Sequence, residues 1–224
     1  MAAAITLLQN IVVFAIPALF AITLHEVAHG WVAKQCGDLT AAHAGRLTLN
    51  PLKHIDPVGT VLIPAISYVV GGFIFGWAKP VPVDWRNLRA VRRDMALVAL
   101  AGPFANLLML LAWLLAVKWL ASGYAQRFEM AEQWLRFLFS MSINGVLVNL
   151  ILMIFNLVPL PPLDGSRVVS SLLPAAWVGP YNRLAPFGFM VLFGLLMINT
   201  FSSAWGLLIQ SLLRNVLQLF GLPA

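Results

Sequence analysis

The chain has 224 residues, 61% hydrophobic and 10% charged, with a net charge of +6. Soluble domains carry about a quarter charged residues, so this composition excludes an ordinary water-soluble fold and leaves room for several membrane crossings of about 20 residues each. The Lys and Arg residues are scattered through short connecting segments, which reads as topology and lipid-headgroup contact, with no nucleic acid as partner.

Apolar runs fall at about 5–33, 58–78, 95–120, 137–160, 186–199 and 201–220. The first is too long for a signal-peptide core and shows no small-residue cleavage site before its histidines, so it is expected to stay in the mature protein. Between the first two runs, "GDLTAAHAGRLTLNPLKHIDPVGT" alternates Arg46, Thr48 and Asn50 with Leu47 and Leu49, which predicts a short strand or hairpin. The run 58–78 carries Pro64 and Gly71-Gly72, both expected to break a helix. "GWAKPVPVDWRNLRAVRRD" is a Pro-stiffened, then basic, connector. The last two runs share only "INTFSS" and predict a C-terminal helical hairpin over about 186–220. Trp31, Trp77, Trp119, Trp134 and Trp177 lie near run ends, where amphipathic rings prefer the headgroup level. The expected fold is an all-α polytopic membrane protein with a short membrane-associated β-hairpin, one membrane-embedded domain over 1–224 with its core at about 5–170.

Ionisable groups in an apolar span are costly and need a partner or a cavity. The first run nevertheless ends in "HEVAH". His25 and His29 stand four apart, so on a helix both imidazoles project from one face and can grip one ion. Glu26 can then reach a water in the open position of a three-ligand metal site and act as general base. Cys36 is the single cysteine, so neither an intrachain disulfide nor a Cys-based metal cage can form.

A third ligand must come from elsewhere. Six residues beyond His29 stands Gln35, so the extended three-histidine motif is absent, and the next glutamates, Glu129 and Glu132, lie in a polar loop. The candidates are His43, His54, Asp38, Asp56, Asp84, Asp94 and Asp164. Asp164 stands out within "FNLVPLPPLDGSR", where Pro159, Pro161 and Pro162 break the helix and leave backbone groups that need a partner or a cavity.

"HEVAH", "AGPFAN" (101–106) and "NLVPLPPLDG" (156–165), in that order, resemble the three sequence marks of the site-2 proteases, intramembrane zinc metalloproteases. The resemblance runs from about residue 20 to 170 and is closest to the compact subgroup without PDZ or CBS modules, which "NPLKHIDPVGT" and "GWAKPVPV" also typify. It implies a site-2-protease-like transmembrane core, with His25, His29 and Asp164 as ligands of one zinc ion per chain and Glu26 as catalytic base. It also implies that Asn106 and Asn156 lie close to the bound peptide, a membrane-embedded segment of another protein. His43 and His54 are expected behind the ligands or as gating groups. The predicted hairpin could offer the unwound peptide an edge strand.

Topology can be checked by arithmetic. About 24 residues, or roughly 36 Å of helix, precede His25, and Asp164 likewise follows the far end of its run. The two meet only if both runs cross in the same direction, which requires the run 58–78 to dip in and return. With that run re-entrant, Lys and Arg divide 11 to 3 in favour of the side carrying residues 34–93. The positive-inside rule then places the active-site face in the cytoplasm, the expectation being a multi-pass protein of a bacterial inner membrane. The rival functional class is a transporter or proton carrier, which also uses intramembrane His and Asp groups. A catalytically silent scaffold would need a damaged motif, and Glu26 is intact.

Overall fold

The computed structural model describes residues 2–71, 76–122 and 132–222; Gly72 and Glu129, singled out above, lie outside them. The described residues form helices α1 (Ala2–Gln35), α2 (Thr40–His43), α3 (Ile63–Gly71), α4 (Val91–Ala121), α5 (Glu132–Leu157), α6 (Asp164–Leu172), α7 (Ala175–Asn182), α8 (Ala185–Met197) and α9 (Asn199–Leu219). Three of them, α1, α4 and α5, are long and apolar enough to cross a membrane.

These three pack against one another and form the frame of the molecule. Gly145 of α5 makes the α4–α5 approach close: a Cβ there would sit 2.4 Å from the Trp113 ring. Below that contact Leu110, Leu114 and Val117 of α4 meet Val146 and Leu150 of α5 and Leu217 of α9 in one buried cluster. Helix α4 starts where it does because Asp94, fully buried, reaches back to accept the Ala90 N–H at 2.8 Å and pairs with Arg93. That satisfies a donor which a helix N-terminus leaves without an intrahelical partner.

The predicted β-hairpin is absent: no strand occurs among the described residues. Thr40–His43 instead make one helical turn, begun by Asp38, whose carboxylate accepts from the Thr40 N–H and hydroxyl. Residues 46–50 form no helix or strand, and of these Asn50 is extended. His54 Nε2 donates to the Thr48 carbonyl, and Asn50 accepts from Leu52 N–H to start the next turn.

The run 58–78 opens as a wide π turn over Pro57–Leu62, capped by Asp56 through the Val58 and Gly59 N–H groups, and continues as α3. Its two ends then lie side by side. Trp77 N–H donates to Gly59 O at 2.9 Å, Thr60 Oγ1 to Trp77 O at 2.9 Å, and Lys79 N–H to His54 O at 3.0 Å. The chain therefore leaves this point and returns to it.

The C-terminal hairpin expected over about 186–220 falls on α8 and α9. Helices α8 and α9 meet at 90° and do not fold back on each other; together they are apolar enough for one bent span. Helix α8 lies against the Pro-rich break, where Gly188 approaches the Pro161 carbonyl so closely that no side chain fits. The Pro161–Pro162 peptide is cis.

Candidate metal centre

Helices α1 and α4 run antiparallel and meet at one-turn intervals. His29 Nδ1 lies 2.7 Å from Val98 O, His25 faces Gly102, and Asn106 Nδ2 donates to Ala21 O at 3.3 Å. Each step of four residues down α1 is matched by a step of four up α4. Gly102 is the centre of this register: a Cβ there would lie 2.4 Å from His29 Nε2 and 2.6 Å from His25 Nε2. Only a glycine leaves space for the two imidazoles.

Asp164 arrives from beyond α5. The Pro-broken segment after α5 ends at Leu163, and Asp164 opens α6, where the helix dipole favours a carboxylate. Gly165 lets the start of α6 press onto the end of α5; a Cβ there would be 2.3 Å from Leu157 O. The result is a triangle of ligand atoms: His25 Nε2 to His29 Nε2 is 3.0 Å, and Asp164 Oδ2 is 3.1 and 3.2 Å from them. Both histidines are buried.

The protons decide what this triangle can hold. Asn106 donates its Nδ2 to Asn149 Oδ1 at 2.9 Å and to Ala21 O, which fixes its Oδ1 as the acceptor facing His25 Nδ1 at 2.6 Å. Asn149 is anchored in turn on Gly145 O. His25 must therefore carry its proton on Nδ1. His29 does likewise, because its Nδ1 faces the Val98 carbonyl. With both rings neutral, as metal ligands must be, each Nε2 is a bare lone pair, and both point at a carboxylate oxygen that has no donor of its own. Three lone pairs converging in a buried site require a cation.

Zinc fits on the donor set and the spacing. Two imidazoles and a carboxylate are zinc ligands, and bonds of about 2.0–2.1 Å in a tetrahedron place ligand atoms about 3.3–3.4 Å apart. His25, His29 and Asp164 form a metal-capable group among the described residues.

Glu26 is half-buried beside the pair, and the connector crosses over it: the Val81 N–H donates to Glu26 Oε2 at 2.7 Å. One oxygen is thereby fixed, which orients the carboxylate. The other acids considered as ligands are occupied elsewhere. Asp38 is fully buried and accepts from Thr40, the Asp84 N–H and Asn87 Nδ2, tying the end of α1 to the connector. Asp84 pairs with Arg86 at 2.7 Å, Asp94 caps α4 and Asp56 caps the π turn.

The remaining predicted residues divide. Asn106 is fully buried behind His25 with both ends of its amide engaged, so it is not placed on a surface open to a peptide. Asn156 is half-buried and donates Nδ2 to Leu152 O of its own helix, leaving Oδ1 without a donor among the described residues. His43 is exposed on α2. His54 is buried in the loop and bonded to Thr48 O. Sequence reasoning missed Gly102, Asn149 and the Val81 N–H. For the first two a signal existed: Gly102 and Asn106 are one turn apart, and Asn149 and Asn156 are two turns apart on one face of an apolar helix.

Comparison with known proteins adds an independent line. Residues 120–199 match peptidase family M50. The chain is 41% identical over 170 residues to "Putative zinc metalloprotease YwhC" of Bacillus subtilis, covering 75% of this chain and 73% of that protein. It is 30% identical over 148 residues to "Putative zinc metalloprotease Rip2" of Mycolicibacterium smegmatis and over 147 residues to the Mycobacterium tuberculosis protein of the same name. Each Rip2 match covers 66% of this chain and 52% of the relative, so the chain spans about half the length of those relatives. No solved structure matches.

Proposed function

The chain belongs to peptidase family M50, the site-2 protease family of zinc metallopeptidases, and on that premise we propose that it hydrolyses peptide bonds within or near transmembrane segments of other membrane proteins. The observation that carries this reading is the convergence of His25 Nε2, His29 Nε2 and Asp164 Oδ2, all within 3.2 Å of one another, inside a frame of membrane-length helices. His25 lies about ten residues, roughly 15 Å, before the end of α1, deep enough to meet a bilayer-embedded bond.

His25, His29 and Asp164 would hold one zinc ion. Bound there, zinc supplies a Lewis acid that brings the pKa of a water towards about 7. Glu26, oriented by the Val81 N–H, takes the proton of the attacking water and passes it to the leaving amine. The peptide must unwind first, because helical carbonyls are engaged in their own hydrogen bonds. Asn156 Oδ1, which no donor among the described residues occupies, would accept from an N–H so released. Asn106 acts one layer back, fixing the His25 tautomer. The returning segment 54–79 and the 11-to-3 charge division support an active-site face towards the cytoplasm of a bacterial inner membrane.

The test pairs wild type with Glu26→Gln, purified in detergent and given single-span model substrates, with zinc quantified in both. Zinc in both proteins and cleavage by wild type alone is the expected result. No zinc in either protein would refute the reading and bring forward a transporter or proton carrier, measured as ion flux in liposomes.

A further inference from the structure

Arg167 has no part in the chemistry above. It stands three residues after Asp164 on α6, so the two side chains leave neighbouring positions of one helix face. Its guanidinium carbon lies 5.3 Å from the centroid of the Trp85 ring, a cation–π distance. Trp85 packs against the cluster of Ala33, Met95 and Val98, and the Val98 carbonyl is the group that holds His29. The indole therefore holds the cation on one side of α6, one turn from Asp164 and near enough for that carboxylate's charge to act on it. Arg167 is half-buried, and among the described residues no carboxylate pairs with it and no hydrogen bond occupies its N–H groups. Burial lowers its pKa, and the charge of Asp164 opposes that shift.

A positive fork held half-desolvated beside a hydrolytic site, with its donors uncommitted, is suited to one task. In peptide hydrolysis the water oxygen bonds to the carbonyl carbon, the C–N bond breaks, the amine departs with the proton carried by Glu26, and the water's second proton leaves the new acid for the amine, so that a carboxylate and an ammonium remain. Negative charge thus builds on the carbonyl oxygens next to Asp164, itself an anion. We propose that Arg167 is a further catalytic residue, whose guanidinium donates to the scissile carbonyl oxygen as its charge develops and then to the product carboxylate. This rests on the peptidase reading. The planar fork matches both oxygens of a carboxylate, which a lysine ammonium does not, and Trp85 acts as the positioning residue that sets its angle.

The experiment uses the full-length, zinc-loaded protein in detergent. Two fluorescein-labelled peptides, copies of the amino-terminal product of a model substrate, end in a carboxylate or in a carboxamide. Their affinities are measured for wild type, Arg167→Gln, Arg167→Lys and Trp85→Leu, alongside zinc content, kcat and KM. Arg167→Gln is expected to keep its zinc, lose about ten- to a hundredfold in preference for acid over amide, and lose kcat with KM little changed. Arg167→Lys and Trp85→Leu fall between. A zinc-loaded Arg167→Gln with the wild-type acid preference and kcat overturns the proposal. Where Arg167→Gln fails to fold, Arg167→Lys decides: full acid preference and kcat with a point charge in place of the fork overturns it equally. A wild type that neither holds zinc nor cleaves refutes the peptidase reading, and this assignment with it.

Discussion

Replacing Gly102 by alanine separates helix stability from metal binding, because the two respond with opposite signs. On propensity alone, alanine in the interior of α4 gains about 0.5–1 kcal/mol over glycine. The added Cβ, however, would lie 2.4 Å from His29 Nε2, 2.5 Å from His25 Cε1 and 2.6 Å from His25 Nε2. Non-bonded contact settles near about 3.5 Å, so both rings must retreat by about 1 Å. They cannot do so while keeping their Nδ1 bonds to Asn106 and Val98. Metal–ligand distances tolerate only about ±0.2 Å. Loss of a single outer hydrogen bond typically weakens metal affinity by about 10–100-fold, and displacing two ligands together should cost at least the upper figure. Zinc affinity by chelator competition is therefore expected to fall about a hundredfold or more in Gly102→Ala. The metal-free protein should keep its helical circular dichroism and melt within a few degrees of wild type. A variant that binds zinc within threefold of wild type would refute the close-approach argument.

Asn106→Ala and Asn149→Ala should each weaken zinc binding, by about 10–100-fold for Asn106 and less for Asn149; the same chelator competition checks this, and equal or reversed effects would break the assigned hydrogen-bond order. In a Cys36→Ser background, single cysteines at Lys53 and Arg89 should react with an impermeant thiol reagent from one side of the membrane and one at Ser122 from the other. Labelling of Lys53→Cys and Arg89→Cys from opposite sides would show that the intervening segment crosses.

The candidate site was legible in the sequence where it depended on helical spacing. His25 and His29 at i and i+4 need only a helix to share a face, and a broken apolar segment advertises Asp164. What spacing does not carry is depth. "AGPFAN" marks Asn106 as special, but a side chain four residues from Gly102 can face a peptide or a histidine, and only packing against α1 selects the histidine. The hairpin failed for a related reason. Alternation over Arg46–Asn50 is compatible with extended backbone, but a strand also needs a partner for its carbonyls. Here the Thr48 carbonyl is taken by the His54 imidazole, six residues ahead. The Val81 contact to Glu26 was beyond reach altogether, since a backbone N–H has no residue identity to read.

Register and topology turn out to be one constraint. His29 on Val98, His25 on Gly102 and Asn106 on Ala21 require α4 to run against α1, starting at the membrane face where α1 ends. Were the intervening segment to cross, α4 would begin at the opposite face and these three pairings could not coexist. The hydrogen bonds of Trp77 and Lys79 back to Gly59 and His54 remove that crossing. Within the antiparallel pair the tolerance is one residue. A slip of one position turns each α4 side chain by about 100°, carrying Gly102 away from the imidazoles and Asn106 away from His25 Nδ1. The space for the two rings and the proton that leaves Nε2 bare would be lost in the same movement. The glycine and the asparagine of "AGPFAN" are thus a turn apart for the same reason as the two histidines: each opposes its counterpart across one helix–helix contact, and the metal-binding geometry exists only in that register.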